Sequence, residues 1–212
     1  MLSVGDAPLE SGSRFIYIRL YLNGRGKMVG RPRTIDRHKV LDAAEALIVQ
    51  MGAAALSFES VAKAAGITKS GVQSCFGTKD KLIRSIIQRW IEAFERDVTN
   101  RSAGDRSARS VIRGHIEATR DSDQAKNSRS AAMMTALLQR PDQVAETRQW
   151  YMSRLAPLKI ADREDRKLAL ALLAGEGAFF LRTFGLIELD DADWDRLFAD
   201  MLAMVQDEPT NN

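Results

Sequence analysis

A single cysteine, Cys75, leaves no partner for an intramolecular disulfide and fits a reducing, cytoplasmic setting. The two histidines, His38 and His115, stand far apart with no Cys- or His-rich spacing around them, which argues against a metal site. Proline occurs only 5 times and β-branched runs are few, so helices are favoured over strands. No apolar run suits a bilayer: the strongest, Leu168 to Leu181, falls short of the ~20 residues of a span and contains Glu176. Phe15 to Leu22 is apolar but broken by Arg19, with no basic segment before it and no small-residue cleavage site after it, and does not read as a secretory signal. HExxH, a P-loop, a glycine-rich dinucleotide turn and a Ser, His and Asp set are all missing, so neither an enzyme nor a cofactor is expected.

What is present is ordinary globular material, 45% hydrophobic and 28% charged, enough for a sizeable core. The net charge of +3 is too small to mark a nucleic-acid binder by itself, but its distribution is uneven. Arg25, Lys27, Arg31, Arg33, Arg37 and Lys39 crowd one segment against the single acid Asp36, whereas Glu188, Asp190, Asp191, Asp193, Asp195 and Asp200 crowd another.

Ser57 to Leu82 is the most informative stretch. Ser57 can cap a short helix whose apolar face is Val61, Ala62 and Ala65, and Glu59 suits its first turn. Gly66 can take the left-handed conformation that ends it, Ile67 can plug the corner, and Thr68 can cap a second helix from about Lys69 to Phe76. One side of that helix carries small or polar groups, Lys69, Ser70, Gly71, Gln73 and Ser74; Val72, Cys75 and Phe76 hold it down. Such a helix can lie in a major groove, its short polar groups reaching base edges and phosphates. Lys79, at the start of the next helix, and the pair Arg31 and Arg33 are further candidates for phosphate or minor-groove contact.

The remainder reads as helix after helix, about nine in all, giving an all-α chain with a three-helix head and a larger body. Val40, Leu41, Ala44, Leu47, Ile48 and Met51 mark the first helix, with Gly52 at its end. After the Thr78 cap, Leu82, Ile83, Ile86, Ile87, Trp90, Ile91, Phe94 and Val98 form a stripe wide enough to be buried on two sides. A helix with Val111, Ile112, His115 and Ile116 follows, then Ala131 to Leu138, then one opened by Pro141 that carries Trp150 and Tyr151. Leu168 to Phe184 is apolar on nearly every face and is expected to be buried all round, with a track of small residues, Ala171, Ala174, Gly175 and Ala178. The last helix, from Asp190, shows Trp194, Leu197, Phe198, Met201, Leu202 and Val205. The expected boundaries are a disordered extension over 1–29, with Met28 resembling a natural start, a head over 30–78, a body over 79–206 and a polar tail over 207–212.

Several pieces together resemble the TetR family of helix-turn-helix transcriptional regulators: Gly30 to Arg33 (GRPR), Ala43 to Leu47, Val61 to Ile67, and Gly71-Val72 through Phe76-Gly77-Thr78-Lys79-Asp80-Lys81-Leu82. The resemblance implies a homodimer paired through the last two helices that binds a palindromic double-stranded DNA operator. It further implies a regulator, most often a repressor, released when a small-molecule effector enters the body. Gln73 and Cys75 depart from the aromatic or histidine residues common there in the family; Gln73 can instead read adenine as a bidentate partner. A ligand-blind architectural DNA binder and an all-helical enzyme remain as alternatives.

The candidate DNA contacts are thus Arg31, Arg33, Ser57, Thr68, Lys69, Ser70, Gly71, Gln73, Ser74 and Lys79. Candidate effector-pocket residues are His115, Met133, Met134, Trp150, Glu176, Phe179 and Phe180. The expected dimer interface uses Ala171, Gly175, Ala178, Trp194, Phe198 and Met201, the small residues allowing close approach in an isologous contact. Glu176, a carboxylate within an apolar helix, must meet a ligand, pair across the dimer or sit at a rim.

Overall fold

The computed structural model describes residues 35–122 and 124–206. The expected extension with Arg31 and Arg33, and the tail from 207, lie outside the described residues. Every regular element described is helical: α1 (Arg37–Met51), a 3-10 turn (Ala53–Ala55), α2 (Phe58–Ala65), α3 (Lys69–Phe76), α4 (Lys79–Arg101), α5 (Ala108–Arg120), α6 (Gln124–Leu138), α7 (Pro141–Leu155), α8 (Arg163–Thr183) and α9 (Asp191–Met204). The chain is all-α, as its periodicity implies.

The helix starts are written locally. Asp36, Thr68, Thr78, Asp162 and Asp190 each accept from backbone N–H groups of the first turn that follows them, a contribution of about 1 kcal/mol per cap. At α2, Ser57 Oγ accepts from Ser60 N–H while Ser60 Oγ accepts from Ser57 N–H, a reciprocal capping box with serine in place of the usual glutamate. Gly66 ends α2 at φ 66°, and the next amide, Ile67 N–H, donates back to Ala62 at 3.0 Å.

Two cores organise these helices. The first joins Val40, Ala44 and Ile48 of α1 to Val61, Val72, Phe76 and the α4 residues Leu82, Ile83, Ile86 and Ile87, and runs on into Met133, Ala136 and Leu137 of α6. The packing therefore crosses the expected head–body boundary at residue 78. The second core sets Ile112 and Ile116 of α5 against Leu168, Ala171 and Leu172 of α8 and Trp194, Phe198 and Met201 of α9. Between them α4 and α5 approach so closely that a Cβ on Gly114 would lie 2.8 Å from the Val98 carbonyl oxygen, which only glycine permits.

α8 corrects the sequence reading. It begins at Arg163 rather than Leu168 and is not buried all round: Leu170, Leu173, Phe180 and Leu181 face outward, the most exposed being Leu173 at 57%. The residues expected to pair two copies are turned the other way. Ala171, Gly175, Trp194, Phe198 and Met201 are buried within the protomer's own core, and Ala178 is half-buried against it. Periodicity identifies an apolar helix but, when nearly every face is apolar, does not tell its inward side from its outward one.

Candidate nucleic-acid interface and internal cavity

α2, the Gly66-Ile67-Thr68 turn and α3 form the helix-turn-helix. Val72 and Phe76 seat α3 on the first core, with Cys75 half-buried beside them. That leaves Lys69, Ser70, Gln73 and Ser74 exposed along one edge. Three other candidates have different positions. Gly71 is buried, and a Cβ there would lie 2.9 Å from Ile35 Cδ1 and 3.2 Å from Thr68 Oγ1, so its small size seats the helix instead of facing outward. The Ser57 and Thr68 hydroxyls are engaged as caps, although both residues are exposed. Lys79 is half-buried and its Nζ donates to the Ala54 carbonyl at 2.9 Å, latching the 3-10 turn to the start of α4.

Within the body, α4 to α8 line a partly open cavity of about 240 Å³. Its walls carry five aromatic residues, Trp90 and Phe94 from α4, Trp150 and Tyr151 from α7, and Phe179 from α8, with Ile91, Ala118, Met134 and Leu137 between them. Thr119, Ser130 and Thr147 add hydroxyls, and Asp97, Arg129 and Glu176 add charge. Of the expected pocket residues, Met134, Trp150, Glu176 and Phe179 line it. Phe180 borders an adjoining open recess on the outer side of α8, which shares Met134, Tyr151, Glu176 and Phe179 with the cavity. His115 is buried behind Glu176, its Nε2 facing Glu176 Oε1. Met133 belongs to the first core, turned away from the cavity by one step of its helix.

Sequence reasoning missed Tyr151 as a site residue. Its hydroxyl donates to Glu176 Oε2 at 2.8 Å, and burial, followed by the Glu176 charge, pushes its phenol far above the ordinary value. It also missed Arg154, buried with its guanidinium 3.6 Å from the Trp150 ring centroid and paired with Glu95. Trp90, Phe94 and Tyr151 were visible as apolar stripe residues, but nothing in their spacing distinguishes a wall from a core. Arg129 joins the cavity to the head: it pairs with Glu45, a buried α1 carboxylate that also accepts from Arg89 of α4 at 2.6 Å. Burial works against the Arg89 charge, yet Glu45 and Asp42 outweigh it and hold its pKa above the ordinary value. No group of side chains among the described residues could hold a metal ion.

No curated protein matches the chain. Among solved structures, a transcriptional regulator from Rhodococcus sp. Rha1 is similar at 16% identity and a TM-score of 0.59, over 79% of this chain and 94% of that one. A TetR family transcriptional regulator from Pseudomonas syringae pv. tomato str. DC3000 is similar at 17% identity and a TM-score of 0.55, over 80% and 94%. NalD, the secondary repressor of the MexAB-OprM multidrug efflux pump in Pseudomonas aeruginosa, is similar at 22% and 0.51, over 79% and 94%. Residues 40–86 match the model for bacterial regulatory proteins of the tetR family, and residues 109–206 match that for the tetracyclin repressor-like C-terminal domain. With a helix-turn-helix under the first match and a helical body under the second, the chain belongs to the TetR family of DNA-binding transcriptional regulators.

Proposed function

We propose that the protein binds a palindromic operator as a homodimer, represses from it, and leaves it when a small organic molecule occupies the body cavity. The observation that carries this reading is the reach of α4. This helix starts at Lys79 beside α3 and, ~34 Å long at 1.5 Å per residue, supplies Trp90, Phe94 and Asp97 to the cavity wall. A second link, from Arg129 to Glu45, joins the same wall to α1. A molecule that fits better when α4 and α6 are displaced shifts the protein toward that form, and lowers DNA affinity by that difference in fit and no more.

Lys69, Ser70, Gln73 and Ser74 form the edge suited to a major groove, with the two heads of a dimer one DNA turn apart, ~34–36 Å. The outward apolar side chains Leu170, Leu173, Phe180 and Leu181 of α8, with Leu197 of α9, support pairing through this face in place of the one read from sequence. The test is a mobility-shift titration with DNA flanking the protein's own gene. A shift confined to a palindromic fragment is expected. Absence of any shift at low salt refutes operator binding, and a shift without palindrome preference favours an architectural role.

A further inference from the structure

The carboxylates in and around the cavity differ in what faces them. Asp97 is matched by Arg101, whose Nε lies at 2.9 Å. Glu95, behind Trp150, pairs with Arg154, and Glu45, beneath Arg129, takes both Arg129 and Arg89. Glu176 meets no arginine or lysine among the described residues; its partners are the imidazole of His115 and the phenol of Tyr151.

His115 Nδ1 is buried without a hydrogen-bond partner. The pattern therefore fits the tautomer with hydrogen on Nε2, donated to Glu176, and a bare acceptor at Nδ1, because a buried unpaired N–H is the costlier orphan. Tyr151 is held in its protonated form by burial and by Glu176 itself. Neither partner is a lysine or arginine, and the Tyr151 phenol orients the carboxylate without cancelling its charge. The guanidinium of Arg154 is engaged by Glu95 and by the Trp150 ring, and that of Arg129, on the cavity wall, by Glu45.

Glu176 is 21% exposed, so water reaches part of it, but a partly buried carboxylate without a cationic partner still gains from a complementary charge. Each Glu176 oxygen keeps a free acceptor position. The walls around it include the rings of Trp90, Phe94 and Phe179, and aromatic faces attract cations. The Thr147 hydroxyl, also on the wall, is buried without a partner. At about 240 Å³ the space exceeds the ~150 Å³ that houses a benzene ring and suits a two-ring molecule.

We propose that the cavity takes a flat organic cation of about two fused rings, its positive charge at Glu176 and its rings among Trp90, Phe94, Trp150 and Phe179. This rests on the reading of the cavity as the effector site. An anion meets repulsion there, and a neutral ring gains only the apolar contacts.

Isothermal titration of the full chain with N-methylquinolinium, 1-methylnaphthalene and 1-naphthoate tests it. The cation is expected to bind about ten- to a hundredfold more tightly than the neutral ring, as hydrogen-bonded and charged contacts in low dielectric allow, with the anion weakest. Glu176→Gln, checked for unchanged helical content, should bring the cation down to the level of the neutral ring and leave the neutral ring within about twofold. Tyr151→Phe keeps the charge and should keep the preference. Equal binding of cation and neutral ring, or a cation preference that survives Glu176→Gln, overturns the proposal while leaving an effector cavity standing. No binding by any of the three overturns both.

Discussion

Glu45→Gln tests whether α1 is held to the body by charge. The carboxylate is 11% exposed and accepts from Arg89, itself 20% exposed, at 2.6 Å and from Arg129, 41% exposed. Removing one partner of a fully buried ion pair costs about 3–5 kcal/mol. Two features reduce that figure. Arg89 keeps a second carboxylate, Asp42, at 2.6 Å, and Arg129 stands well into solvent, where a pair contributes ~1 kcal/mol at most. A loss of about 2 kcal/mol follows, which for a chain of this size lowers the melting temperature by about 4–8 °C. Urea denaturation of the wild type, the single variants and the double variants Glu45→Gln/Arg89→Gln and Glu45→Gln/Arg129→Gln gives the two coupling energies. The Glu45–Arg89 coupling should exceed the Glu45–Arg129 coupling about twofold. A melting temperature unchanged by Glu45→Gln, or a larger coupling to the exposed Arg129, refutes the reasoning that burial ranks these contacts.

Gly114→Ala should destabilise even though alanine favours helix by ~1 kcal/mol, because its Cβ meets the Val98 carbonyl, a backbone atom that cannot turn aside, and such overpacking costs about 1–3 kcal/mol; a raised melting temperature contradicts the close approach. Asp121 is held below the usual carboxylate range chiefly by its hydrogen bond from Arg120, with Arg101 assisting against burial. Its stabilisation is therefore full above the unfolded value of about 3.9 and lost as pH falls through the lower folded value, so Asp121→Asn should flatten the acid limb of a melting-temperature profile and leave its slope near pH 7 unchanged. If pairing uses the outward face of α8 as proposed, the wild type should sediment as a dimer in analytical ultracentrifugation and Leu173→Arg, on a side chain 57% exposed, as a folded monomer; equal sedimentation of the two refutes that face. On operator DNA, Lys69→Ala should weaken all sequences alike and reduce the log K against log salt slope by ~0.9 per lost phosphate contact, whereas Gln73→Ala should relax choice at one base pair.

The fold was legible where chemistry is local. Thr68, Thr78 and Asp190 announce helix starts and Gly66 an end, because a cap needs only its own few neighbours. Ser60 completing the α2 capping box was not foreseen, since serine at that position is an uncommon reciprocal partner. The cavity was half legible. Met134, Trp150, Glu176 and Phe179, with His115 behind them, were read from type and position, but Tyr151, Arg154 and Arg129 gain meaning only from partners 25 to 84 positions away in sequence. The outward side of α8 was misread because small residues signal close approach without saying to what; Gly175 approaches Ile116, Phe198 and Met201 of its own chain. Lys79 illustrates the reverse, a surface lysine whose nearest acceptor is the chain itself.

The contact at Gly114 also bears on mechanics. With no side chain between them, the backbones of α4 and α5 meet directly near Val98, so a displacement of one helix toward the other there has to be passed on. His115, the next residue on α5, touches Glu176. That carboxylate therefore stands one contact away from the α4–α5 pair, and the other end of α4 is Lys79, against the turn that leads into α2. Any side chain at 114 would wedge the two helices apart at this crossing.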